Sequence, residues 1–287
     1  MENKYLIGTD IGGTTFSSAL FNDKYELELI SPKNNISEFN TTEELLNGII
    51  SQIKKLAGDN LIKGVGFACP GPLKANEGII LNTPNLILLQ NCHLKKIMEE
   101  KLQIPCLIEN DANLFALGEF HESGKKICIG VTLGTGLGFG IIINEHLFMG
   151  GNGMAGEYGI SPIGKEIWEN NISIGGVEKL SFKYFHTIIN PIELYELAKQ
   201  HDKNAISVWM DFGEKLGECL SHIINFIDPN AISIGGGLSH AFPFFENSMQ
   251  ETISNYSPSF NVNNIDIFES KQKELAAKLG AVKLFEL

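Results

Sequence analysis

The stretch Tyr5–Asn22, YLIGTDIGGTTFSSALFN, decides how this chain is read. It predicts an apolar strand ending at a carboxylate, Asp10, then a glycine-rich turn with paired threonines, then a second strand. The pattern returns. Ile127–Asn144, ICIGVTLGTGLGFGIIIN, lies over it without a gap, so that Ile7, Gly8, Gly12 and Asn22 recur as Ile129, Gly130, Gly134 and Asn144. Two strand–turn–strand units of one design, half a chain apart, predict two related α/β domains facing a shared ligand.

Composition narrows the partners. At 287 residues the chain can form two modest domains, each with its own core. A hydrophobic fraction of 43% with 20% charged residues is that of an ordinary globular protein. The net charge of −12 argues against nucleic acid and against an anionic membrane surface. All 22 basic residues are Lys, so an anion must be held by backbone N–H groups, Ser/Thr hydroxyls, Lys or a metal. The five cysteines, Cys69, Cys92, Cys106, Cys128 and Cys219, contain no C-x-x-C pair, which points away from a disulfide framework and from a thiolate zinc site. With no basic and apolar leader and no membrane-length apolar run, a cytoplasmic location is expected.

Outward from the first hairpin, Thr41–Ala57 carries apolar residues at helical spacing with Thr41 or Thr42 as N-cap. A strand over Ile62–Ala68 ends at Cys69-Pro70-Gly71-Pro72, and a short strand is predicted over Glu77–Leu81. A helix from about His93 to Leu102 leads to a strand Pro105–Ile108 and to a capped helix opening at Asn110-Asp111. The glycine-rich Gly150–Gly164 reads as a loop approaching a ligand. Helices fill 175–225 with a break at Asn190-Pro191. The longest runs from about Ala205 to Ile227, where Asp228-Pro229 stops it. A strand Ala231–Ile234 then enters Gly235-Gly236-Gly237. The tail from Lys271 to Phe285 reads as helical, with Ala276, Ala277, Gly280 and Ala281 small enough for close packing.

The two Gly/Thr turns suit phosphate, since exposed N–H groups and hydroxyls on a tight turn form an anion nest. Asp10 offers a hard oxygen for Mg²⁺. The second turn is not a dinucleotide fingerprint: G-x-G-x-x-G fails at Phe139, and the segment continues as a strand. No Walker-type loop is present. Asp111, at a strand-to-helix junction beside two amides, can accept a proton from a substrate hydroxyl, although such a string is more often only a helix cap. Trp168 and Trp209 read as packing residues, and none of the seven histidines reads as a ligand.

Six segments in order carry a family resemblance. Asp10-Ile11-Gly12-Gly13-Thr14, Gly66–Pro72 with Thr83–Leu86, Glu109–Asn113 with Ala116–Glu119, Leu133–Gly138, Gly156-Glu157 and Ile234–Gly237 resemble the ROK family of sugar kinases, within the actin/hexokinase/Hsp70-like superfamily. The resemblance implies two ribonuclease-H-like, actin-like ATPase domains with a nucleotide and sugar cleft between them. The first would span 1–115 with the C-terminal helix 271–287 packed on it, the second 116–270. It implies a hexose kinase using ATP and Mg²⁺, with glucose phosphorylated at its 6-hydroxyl and Asp111 as general base. Asp10, Gly12, Gly13, Thr14, Thr135, Gly136, Gly235, Gly236 and Gly237 would bind the nucleotide, Asp10 also the metal. Gly71, Asn85, Asn110, Asp111, Glu157 and Glu178 would bind the sugar. A homodimer is expected.

The chain departs from the family's pattern after Glu157. The zinc-binding His that usually follows Gly-Glu-x-Gly is Ile160, and 161–180 has no cysteine, so no zinc site is expected. Trp168-Glu169 with Ser173 is similar to the segment of zinc-free branches, some of which use polyphosphate. N-acetylhexosamine or fructose phosphorylation is the alternative, as is a non-catalytic sugar-binding regulator. The latter is disfavoured because Asp10 leaves no room ahead of it for a helix-turn-helix.

Overall fold

The computed structural model describes residues 4–286; residues 1–3 and 287, the outermost of the expected domains, lie outside the described range. The chain divides into two compact units. One takes in the chain up to His121, Met149–Gly153 and the chain from Glu274 on; the other takes in Glu122–Phe148 and Met154–Lys273.

In the first unit, β1 (Lys4–Ile11) and β2 (Thr15–Phe21) form the expected hairpin, with Asp10 paired to Ser17. β3 (Leu27–Ile30) extends it antiparallel. In α1 (Thr42–Ala57) the Thr41 hydroxyl accepts from Glu44 N–H, and Gly58 at a φ of 52° ends the helix. Its buried stripe, Leu45, Ile49 and Ile53, shares one core with Ile7, Phe16, Val65 and Phe67. β4 (Leu61–Cys69) runs parallel to β1; after α2 (Leu94–Leu102), β5 (Cys106–Asn110) runs parallel to β4 and enters α3 (Asp111–Glu119) directly. The sheet order is β3-β2-β1-β4-β5, with Asn34–Asn35 also on β2.

The C-terminal helix, Ala276–Lys283, packs on β1, β4 and α3 at backbone distance. A Cβ on Gly8 would stand 2.0 Å from Lys278 O, one on Gly66 2.0 Å from Ala281 O, and one on Gly118 1.9 Å from Ala276 O. This helix is shorter than the sequence pattern suggests. Lys273 has a φ of 50° and its N–H is held by Ser270 Oγ, so regular helix starts only after a 3₁₀ turn at Lys273–Leu275. The strand expected over Glu77–Leu81 likewise shrinks to Ile79–Ile80, because Gly78 turns at a φ of 69° with its N–H on Lys74 O.

The second unit repeats the design. β6 (Ile127–Leu133) and β7 (Leu137–Ile143) pair antiparallel with Gly130 opposite Gly140, and β8 (His146–Leu147) extends β7. Three helices follow, α4 (Ile174–Phe185), α5 (Pro191–Lys199) and α6 (Lys203–Ile227), N-capped by the side chains of Ser173, Asn190 and Asp202. β9 (Ala231–Gly235) is parallel to β6. After α7 (Phe242–Tyr256) and α8 (Pro258–Asn263), β10 (Asp266–Glu269) is parallel to β9. The order β8-β7-β6-β9-β10 is that of the first sheet. The helices α7 and α8 have no side-chain N-cap; their local start signal is a proline in the first turn, Pro243 and Pro258. Trp209, Phe212 and Phe245 stack edge to face in this unit's core.

Candidate active site

The parallel strands of the first unit end together. Asp10 pairs with Ala68 on β4, and Ala68 with Glu109 on β5, which sets Asp10 and Asp111 at the same carboxyl edge about two strand spacings, roughly 10 Å, apart. Ligands of α/β sheets gather at this edge. Asn110 caps α3, its Oδ1 accepting from Ala112 N–H at 2.9 Å and Asn113 N–H at 3.2 Å. The Asp111 Oδ1 accepts from Ala112 N–H at 2.9 Å, so its carboxylate is oriented at the positive end of the helix. The buried Glu109 accepts from Asn110 N–H and Asn113 Nδ2 and anchors the junction from below.

Beside it, the first Gly/Thr turn is closed by Gly12 N–H on Thr15 O, and Ile36 N–H donates to Thr14 O. Asn85 lies directly on this turn: a Cβ on Gly13 would stand 2.7 Å from Asn85 O. Gly71 is tied to the same loop, its carbonyl accepting from Thr83 Oγ1 at 2.5 Å. Asp10, Gly12, Gly13, Thr14, Gly71, Asn85, Asn110 and Asp111 thus collect at one end of one sheet.

A charge unread in the sequence also stands here. Lys278, on the C-terminal helix, is 1% exposed, and its Nζ is 3.9 Å from Asp10 Oδ2 while donating to Glu274 O at 3.0 Å. Burial raises the Asp10 carboxyl above its usual range, opposed by Lys278 and Lys33. Burial likewise lowers Lys278, opposed by Asp10. At 3.9 Å the attraction offsets only part of each desolvation cost. Magnesium is the metal the fold family implies. Asp10 fits it, since Mg²⁺ binds through one or two carboxylates and completes its shell with water and phosphate. Among the described residues no group of three or more His, Cys, Asp or Glu could hold a metal ion.

In the second unit, the turn after β6 is closed by Gly134 N–H on Gly136 O and pinned by Ile174 N–H on Gly134 O. The Glu169 carboxylate accepts from Leu137 N–H at 2.9 Å, and a Cβ on Gly136 would meet it at 2.5 Å. The third glycine cluster lies alongside. Gly235 pairs with Thr132, and Gly236, at a φ of 85°, approaches so closely that a Cβ would stand 2.3 Å from Leu133 O. Thr135, Gly136 and Gly235–Gly237 therefore share one sheet end.

Glu157 follows Gly156 in a short 3₁₀ turn laid on β7. It is solvent-accessible, but desolvation and then the neighbouring Glu169 raise its carboxyl above the ordinary range. Glu178 lies on α4, a turn beyond the Ser173 cap. The carboxylate that reaches Glu157 electrostatically is Glu169, which sequence reasoning quoted without assigning it a role.

A solved structure shares this architecture: the ROK family glucokinase of Streptomyces griseus, in complex with glucose and AMPPNP, superposes with a TM-score of 0.84 at 23% identity, over 98% of each chain. The duplicated 3-2-1-4-5 sheets are those of the two-domain actin-like ATPase fold. The chain belongs to the ROK family, whose model matches residues 6–287. It is 32% identical over 257 residues to the N-acetyl-D-glucosamine kinase of Photobacterium profundum, covering 81% of this chain and 84% of that one. It is 28% identical over 275 residues to the glucokinase of Halalkalibacterium halodurans, covering 84% and 82%.

Proposed function

We propose that this protein is a sugar kinase that transfers the terminal phosphoryl group of ATP to a hexose hydroxyl, with Asp111 as general base. The observation that carries this reading is the junction of β5 and α3. Its carboxylate is fixed by its own helix N-terminus, buttressed by Glu109, Asn110 and Asn113, and set at the sheet edge that carries Asp10. Asp111 would take the proton as the sugar oxygen attacks phosphorus; Asn85, Asn110 and Glu157, with Glu178, would orient the sugar.

The Gly12–Thr14 and Thr135–Gly136 turns would hold phosphate oxygens through backbone and hydroxyl donors, and Gly235–Gly237 would admit the nucleoside. Bound Mg²⁺, held through Asp10, would supply charge neutralisation on the transferring group. With no Arg in the chain, Lys278 is a buried basic side chain beside Asp10 that can share this task.

Glucose at its 6-hydroxyl is the first candidate; likeness to N-acetyl-D-glucosamine kinase favours N-acetylglucosamine as the second. ADP release is to be measured over a hexose panel with ATP, and sugar phosphate over the same panel with polyphosphate. Asp111→Asn is expected to lower kcat about a thousandfold. Undiminished turnover would remove Asp111 as the base, and no turnover of any sugar by the wild type would favour a sugar-binding protein.

A further inference from the structure

Glu157 and Glu169 repel each other, yet both adjoin one aromatic–histidine knot. Tyr158, next to Glu157, places its hydroxyl 2.8 Å from His222 Nδ1 on α6. Trp168, next to Glu169, is buried in the core that Tyr158 packs against. The His222 ring meets Trp168 edge-on at 5.5 Å and Tyr158 edge-on at 6.4 Å.

The loop is held from β7 as well: Phe139 meets the Tyr158 ring edge-on at 6.1 Å, and the Glu169 carboxylate accepts from Leu137 N–H. Gly156 and Gly159 press on β7, where Cβ atoms would stand 2.3 Å from Phe139 O and 2.2 Å from Leu137 O. Behind Tyr158 and His222 lies a mainly apolar groove of about 590 Å³, reaching Met154 and Phe226, in place of packed side chains. To this packing the Tyr158–His222 bond adds a directed contact between the two glycines. The partners come from three separate elements, so the knot restrains the Glu157 turn and the Trp168-Glu169 turn against one rigid helix.

We propose that His222 is a positioning residue: through Tyr158 and Trp168 it holds Glu157 and Glu169 at a fixed spacing, and so sets sugar affinity without touching the sugar. The second half rests on the reading of Glu157 as a sugar contact. No bond is made or broken, and no metal is required for the restraint.

The test compares wild type, Tyr158→Phe, His222→Ala, the double variant and His222→Asn, whose amide can replace Nδ1 as the hydrogen-bond partner of the phenol. Sugar KM is expected to rise about tenfold in either single variant, and no further in the double. The KM for ATP and kcat should stay within about twofold, with His222→Asn restoring most of the loss. Unchanged sugar KM, or sugar and ATP constants rising together with a lowered Tm, would overturn the proposal. A second arm needs no turnover: carboxyl NMR titration of Glu157 should give a lower pKa in His222→Ala as the carboxylates separate. A pKa equal to wild type would overturn the knot. If the wild type phosphorylates no sugar, only the kinase reading falls, and this titration still decides the spacing.

Discussion

At the scale of single residues, the candidate site residues include carboxylates in unequal surroundings. Asp111 is oriented by backbone N–H groups at a helix start, Asp10 is shadowed by a buried lysine, and Glu157 stands exposed but crowded by Glu169. Because the fold raises the pKa of Glu157 above its ordinary 4.5, the native state binds its proton more tightly than the unfolded chain does. Stability therefore falls as pH rises from about 4.5 through the raised value, and the charged side chain is a cost at neutral pH. Glu157→Gln is expected to raise Tm slightly at pH 7, with the gain shrinking to nothing as pH falls to about 4.5. Paired thermal scans across that range check it; an equal or lower Tm at pH 7 would contradict it.

At the scale of elements, contact between the C-terminal helix and α3 depends on two glycines without side chains. A Cβ on Gly118 would stand 1.9 Å from Ala276 O, and one on Gly280 1.9 Å from Leu114 O. Backbone atoms cannot swing aside as a flexible side chain does, so the helices would have to separate. Gly118→Ala and Gly280→Ala are each expected to cost about 3 kcal/mol in urea unfolding, with the double change far from additive because both act on one interface. The small residues of the tail made this packing legible in the sequence. Its partners were not, since nothing local says that Gly8, Gly66 and Gly118 share one helix. Hairpins, capped helices and the stop at Asp228-Pro229 were equally legible, because each is set by neighbours in sequence. The uncapped α7 and α8 left only a first-turn proline each, Pro243 and Pro258.

At the scale of the whole molecule, two sheets of one topology each carry a glycine turn and a set of site residues at one end, and the interior protects the chain's reactive groups. All five thiols are buried. Burial pushes Cys106 up to about 12 and Cys128 up to about 11, so the reactive thiolate is scarce near neutrality. A disulfide reagent at pH 8 is expected to modify none of the five rapidly in the native protein and all five in denaturant; a rapid native reaction would show that one of them is accessible. The sequence by itself determined the repeated hairpin, the two-domain class, the edge carboxylates Asp10 and Asp111, and the lack of any guanidinium, because these depend on order along the chain and on short-range periodicity. Only the tertiary structure decided that Lys278 faces Asp10, that Glu169 bonds Leu137 and crowds Glu157, and that His222 ties Tyr158 to Trp168. Those partners lie on distant segments, and their meeting is set by how helices pack on sheets, which no local pattern encodes.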